Sequence, residues 1–271
     1  MKDIDFDIYN SYYVSRSKRF SHYNRVYFYS NEDLNSILSN VCCNDKSVLT
    51  VLSSGDQAFH FYNRDALSVD VFDINRLTFY YYFLRRWIIQ YTDFYYPSDD
   101  FSIKFIRDIL NIINIDYNNE SELAAYKYWC SFVKLYDDNI SNRIFYRSKN
   151  QDINNIFDLS KIKSRLDDSV NFFNCDISKD VSKFNSKYDI IYISNISDYV
   201  YQNIVSFEKY RDNLFKLLND DGVIISTNVK GYNVCSLEKK VFQEVFSCYE
   251  FPEVKLDNYY VSLGKVYKKN R

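Results

Sequence analysis

The chain has 271 residues, with 34 Lys and Arg against 36 Asp and Glu and a net charge of -2, so no global basic field draws in nucleic acid and none is expected as a partner. At 46% hydrophobic and 26% charged residues it reads as a globular chain long enough to bury a core. Six scattered Cys and two His offer no zinc-ligand spacing, so no metal is expected, and with no leader peptide and no apolar run near membrane length the expectation is a reduced, cytoplasmic protein without a transmembrane segment.

Residues 1–45 form a polar, aromatic leading segment with basic residues at Arg16, Lys18, Arg19 and Arg25. It ends in a predicted helix, Asn31 to Leu38, with Asn31 as cap and Glu32 and Asp33 in the first turn. Ser47 to Leu52 is nearly all apolar, as a strand buried on both faces requires. Ser53-Ser54-Gly55-Asp56 then makes a turn, Gln57 to Asn63 a short helix, and Ser68 to Phe72 a second strand that ends at Asp73. Asn75 opens a strong helix with Leu77, Tyr81, Leu84, Ile88 and Tyr91 on one stripe, read as core packing against a sheet, with a lipid-facing surface as the sharper alternative.

Residues 93–168 lack strand signals and carry helical patches at Ile103 to Ile113 and Leu123 to Leu135. They read as a helical insertion, a candidate lid. Strands resume at Val170 to Phe173, followed by Asp176 and Ile177, and at Tyr188 to Ile193, followed by Ser194 and Asn195. A helix over Phe207 to Leu218, an Asp220-Asp221-Gly222 turn, a strand over Val223 to Thr227, a helix over Ser236 to Phe246 and a last strand over Tyr259 to Tyr267 complete the chain. The alternation implies an α/β, Rossmann-like fold in one domain: a mostly parallel sheet with helices on both faces, whose ligands bind at the carboxyl ends of the strands.

Candidate chemistry gathers at those ends. Gly55 lets a ligand approach the main chain, and Ser53, Ser54 and Asp56 offer polar contacts beside it. Asp73 lies about 20 residues beyond the turn, where a carboxylate accepts from ribose hydroxyls; its alternative is a helix cap. Asp176 can accept an adenine amino group with Ile177 in apolar contact, or serve as a loop acid. Ser194-Asn195-Ile196-Ser197-Asp198-Tyr199 follows the fourth strand, where Asn195 and Asp198 can orient an acceptor and Asp198 can take a proton. Arg85 and Arg86 can touch an anionic substrate. His22 and His60 are poor candidates for central roles, and no Cys carries the mark of a reactive thiolate. The GxGxxG turn of dinucleotide enzymes is missing, which favours S-adenosylmethionine as the nucleoside cofactor.

VLTVLSSGDQAFHF, FDINRLTFYYYFL and YISNISDYV resemble three blocks of a bacterial family of mostly uncharacterised proteins. That family is related to the aminocarboxypropyltransferase of betaine-lipid synthesis, which acts on diacylglycerol and S-adenosylmethionine. Tyr29-Ser30-Asn31-Glu32-Asp33 is similar to the family's motif ahead of the first strand, and the blocks spread over roughly residues 29–228. The resemblance implies a class I methyltransferase-like fold. It implies Ser53, Ser54, Gly55 and Asp56 at the cofactor's amino-acid end, Asp73, Ile74 and Asn75 on its ribose side, and Asp176 and Ile177 at its adenine. Ser194, Asn195, Asp198 and Tyr199 would border the transferred group. The expected reaction is transfer of a 3-amino-3-carboxypropyl group to a hydroxyl or amine of a small-molecule or lipid-like acceptor, with peripheral membrane contact left open. Methyl transfer on the same fold and a non-catalytic nucleoside-binding module are the alternatives.

Overall fold

The computed structural model describes residues 4–14, 23, 25–30, 32–94, 102–138, 144–146, 158–166, 170–200, 204–228, 232–256 and 260–270. In chain order the elements are α1 (Ile4–Tyr12), β1 (Val26–Tyr27), α2 (Leu34–Leu38), β2 (Ser47–Val51), α3 (Asp56–Asn63), β3 (Ser68–Asp73), α4 (Arg76–Tyr91), α5 (Ile103–Ile112), α6 (Glu120–Leu135) and β4 (Phe145–Tyr146). They continue as α7 (Leu159–Lys163), β5 (Phe172–Asn174), β6 (Tyr188–Ser194), α8 (Ser197–Val200), α9 (Ile204–Leu217), β7 (Leu218–Asn228), α10 (Tyr232–Phe242), β8 (Phe246–Leu256) and β9 (Tyr260–Lys269). The chain divides into two compact units: residues 1–30, 52–56 and 74–167 in one, and 31–51, 57–73 and 168–271 in the other.

The second unit holds a seven-stranded sheet in the order β5-β3-β2-β6-β7-β9-β8. β5, β3, β2, β6 and β7 are parallel, and β9 pairs antiparallel with both β7 and β8. From β2 the chain builds outward through β3 and β5, then crosses to β6 on the other side, so the switch in strand order lies between β2 and β6. The apolar runs of β2 and β6 explain their central place: Val48, Leu49, Ile190, Ile191, Tyr192 and Ile193 are all buried. On one face Leu49, Phe72, Ile191 and Ile224 share a core with Phe207, Tyr210, Leu214, Phe242 and Tyr267.

The first unit is mainly helical. Its centre is α4, where eleven side chains are buried. Tyr80 stacks on Tyr128 of α6 with centroids 3.9 Å apart, the Trp129 indole donates to Tyr80 O at 2.7 Å, and Tyr81 packs on Phe145. Asp7 of α1, fully buried, accepts from Arg76, Tyr80 and Tyr23 and so ties the leading helix to α4.

Several sequence expectations shift. Asp33 caps α2 through Ser36 N–H, while Asn31, expected in that role, lies outside the described residues, as does His22. Residues 218–228 form one strand with a register shift against β6 where a turn is expected at Asp220-Asp221-Gly222. α10 begins and ends four residues earlier than expected, because β8, absent from the sequence reading, takes up Phe246 onward. The β8–β9 hairpin needs Gly264: a Cβ there would stand 1.8 Å from Phe251 Cε2.

Candidate functional site

The two central strands both end in a serine with left-handed backbone. β2 leads through Leu52 to Ser53, with φ 47°, and β6 ends at Ser194, with φ 49°. Serine adopts this region only at a cost, and such residues gather where ligands are handled. Gly55 follows with φ 88°, and its N–H closes a tight turn onto Leu52 O at 2.7 Å.

In the first unit the turn is held from inside. Asp56 is fully buried and forms an ion pair with Arg85, Nη2 to Oδ1 2.9 Å, with neither side chain exposed. Asp56 Oδ2 accepts from Ser54 Oγ at 2.8 Å and from Ser30 N–H. Arg85 also reaches Ser54 O, and Phe28 O accepts from Tyr81 Oη at 2.6 Å. Ser54 and Asp56, read from the sequence as direct cofactor contacts, thus have inward-facing side chains engaged with the chain itself. Arg85, read as a contact for an anion, is a buried structural cation, because an isolated carboxylate at Asp56 would be too costly to bury. Arg86 lies over the Phe83 ring at 5.2 Å.

In the second unit Asp73 ends β3, half-buried, and its carbonyl accepts from Asn174 Nδ2 and Cys175 N–H. The cap of α4 is Asn75, whose Oδ1 accepts from Leu77 N–H; the capping alternative for Asp73 is therefore taken by its neighbour. Ile74 links the two. Asp176 follows β5. Burial raises its pKa, but Ser178 and Lys179 outweigh that, and the net shift is downward. Its carboxylate accepts from Ser178 Oγ and N–H and pairs with Lys179 at 2.9 Å. Ile177 is buried in the core beneath. Asn195 is half-buried, Asp198 buried and Tyr199 half-buried on α8, which the Asp198 and Tyr199 N–H groups close onto Asn195 O and Ile196 O.

Two residues, Glu32 and Gln57, were missed by the sequence reading as site residues. Glu32, 4% exposed, accepts from Tyr192 Oη at 2.6 Å, Ser194 Oγ at 2.8 Å and Thr227 Oγ1. Burial, then the Glu32 carboxylate, push the Tyr192 phenol far above its ordinary value, which keeps it a donor. These partners lie 160 to 195 residues from Glu32, so no local signal reveals them. Gln57, at the start of α3, is buried and its Oε1 accepts no hydrogen bond among the described residues, an acceptor that calls for an explanation. Burial pushes the Cys43 and Cys175 thiols up to about 11. Among the described residues no group of side chains could hold a metal ion, and no helix is long and apolar enough to cross a membrane.

No family model and no curated protein matches the chain. Among solved structures it is similar to the N-methyltransferase NodS from Bradyrhizobium japonicum WM9 in complex with S-adenosyl-L-homocysteine, at 10% identity over 88% of this chain and 84% of that one, TM-score 0.44. It is similar to a methyltransferase from Pyrococcus furiosus at 8% identity over 88% and 82%, TM-score 0.45. A third likeness is to the magnesium protoporphyrin IX methyltransferase from Synechocystis PCC 6803 with bound SAM, at 10% identity over 87% and 76%, TM-score 0.42. These likenesses are too distant to bear weight. The fold rests on the chain's own topology: five parallel strands that switch direction of growth between β2 and β6, closed by an antiparallel β8–β9 hairpin, make a Rossmann-like α/β sheet.

Proposed function

We propose that the protein is a transferase that uses S-adenosylmethionine and moves its 3-amino-3-carboxypropyl group to a hydroxyl or amine. The observation that carries this reading is the switch point itself, where β2 and β6 each lead into a left-handed serine and β3 ends in an aspartate not used as a cap. The donor set suits an adenosyl amino acid. In the second unit Asp73 is placed in sequence to accept from ribose hydroxyls, and Gln57 Oε1 is a buried acceptor suited to an ammonium; in the first, the main chain of Ser53 and Gly55 is the sequence's candidate for the amino-acid end. Ser54 and Asp56 support the turn from behind, and Asp176, past the end of β5 with Ile177 in the core beneath it, is the candidate for the adenine amino group. Aminocarboxypropyl transfer in particular rests on the resemblance of the SGDQA, FDIN and SN-x-x-DY blocks.

The bound cofactor supplies a sulfonium whose carbons are open to displacement. The protein's part is alignment and proton handling. Asn195 and Tyr199 orient the acceptor, and Asp198 takes its proton. With the cofactor bound, its sulfonium would serve as the leaving group, and the acceptor oxygen or nitrogen held by these residues would be the nucleophile.

The test is calorimetry of the chain with S-adenosylmethionine, then product analysis after incubation with a panel of alcohols and amines. Methylthioadenosine supports the proposal. S-adenosylhomocysteine would replace it with methyl transfer, binding without turnover would favour a nucleoside-binding module, and failure to bind would remove the basis of every cofactor reading.

A further inference from the structure

We infer that Glu32 is a positioning residue for the Ser194–Tyr199 turn, holding Ser194 in its left-handed conformation and fixing its hydroxyl as an acceptor towards ligands. Ser194 has φ 49° and is 8% exposed. A serine left alone relaxes out of that region, so something must hold it. Its Oγ donates to Glu32 Oε1 at 2.8 Å, the same oxygen that accepts from Thr227 Oγ1 on the next strand, while Tyr192, two residues back on β6, donates to Oε2. Glu32 thereby clamps the ends of β6 and β7, from which Ser194 begins the turn that leads to Asn195 and Asp198.

The direction of these bonds has a chemical consequence. Glu32, as a carboxylate, only accepts, so each hydroxyl spends its single proton on it. Ser194 Oγ then has only lone pairs left. It receives an ammonium, an amine N–H or an alcohol O–H, and repels a carboxylate or phosphate. Resting on the function proposed above, this assigns the acceptor to a class: a neutral or cationic donor of hydrogen bonds, not an anion.

Hydrogen exchange on the ligand-free chain tests the clamp without any cofactor. In Glu32→Gln, protection of the Asp198, Tyr199 and Val200 amides is expected to fall at least about tenfold, with the β2 and β6 amides unchanged. Adding Ser194→Gly, which takes a positive φ freely, should restore the lost protection. Unchanged exchange in the turn, exchange raised equally across the sheet, or no rescue by glycine would each overturn the clamp. If Glu32→Gln does not fold, Thr227→Val, which removes one of the three donors, is expected to loosen the same amides by a smaller factor, and no change there overturns it. For ligand class, methylammonium chloride should shift the Ser194 and Asn195 amide resonances of the wild type, and sodium acetate at equal ionic strength should not. The opposite result, or no shift with methylammonium, overturns the assignment. Calorimetry with S-adenosylhomocysteine fails separately, on the cofactor reading alone.

Discussion

Arg85 and Asp56 form an ion pair with both side chains withdrawn from solvent, and the carboxylate that anchors it belongs to the same turn as Gly55. The pair fixes where the turn's main chain runs, with Ser54 and Ser30 completing the coordination of the carboxylate. Removal of one partner leaves an uncompensated buried charge, so Arg85→Met is expected to destabilise the fold by about 3–5 kcal/mol. The double variant Arg85→Met with Asp56→Asn should lose less than the sum of the singles. Urea unfolding of all four proteins measures the coupling.

Asp73 and Asn75 stand two residues apart with separable roles. Asn75→Ala removes the α4 cap and should cost about 1 kcal/mol of stability. Asp73→Ala should weaken S-adenosylhomocysteine binding by about 1.5–3 kcal/mol, the range of a hydrogen bond to a charged group. Calorimetry beside thermal melts separates the two; equal affinity in Asp73→Ala would move the ribose elsewhere.

A second buried pair supports the far half of the sheet. Lys265 Nζ lies 2.8 Å from Asn228 Oδ1 and 3.4 Å from Glu238, which also accepts from Tyr267 at 2.8 Å and Ser226 at 3.1 Å. Lys265→Met should destabilise by about 3–5 kcal/mol, and Lys265→Met with Glu238→Leu should recover part of that loss. Denaturant midpoints decide it.

Gly264→Ala forces a methyl into the Phe251 ring and should cost about 1–3 kcal/mol. Phe251→Leu in the same chain should relieve part of the strain, read from thermal unfolding.

Acid sensitivity arises at Asp189, on the amino-terminal edge of the sheet, and at Asp176, past the carboxyl end of β5. Burial raises the Asp189 pKa, but the Ser47 N–H, the Asn219 amide and the Ser47 hydroxyl outweigh it, so the carboxyl sits below its ordinary value. Asp176 is likewise lowered. A depressed native pKa contributes stability that is present above the unfolded value, near 3.8, and is lost as pH falls through the native one. Unfolding midpoints should therefore drop steeply below that value, and Asp189→Asn should flatten the drop while lowering stability at neutral pH.

The central strands were legible because their apolar runs are continuous, and the α4 helix because cap and periodicity agree at Asn75. β8 was not. Its Glu250, Pro252, Glu253 and Lys255 break the apolar alternation, which an edge strand tolerates and a central one does not. Asp73 closes β3, as the sequence reading places it. The pairing of Asp56 with Arg85 could not be read in advance, because polarity is visible in a sequence whereas burial is not. Glu32 was hidden by distance along the chain: an acid ahead of the first strand looks like a helix-start residue until the fold carries β6 and β7 to it.

The outer margin of the sheet carries a further consequence. β8 shifts register between Phe251 and Val254, and Pro252 within that gap has no amide proton to offer. A foreign strand approaching this margin finds its ladder interrupted midway, so the hairpin completes the sheet without becoming a template for its extension. For a chain so rich in tyrosine and phenylalanine, that interruption is a safeguard against amyloid-like stacking.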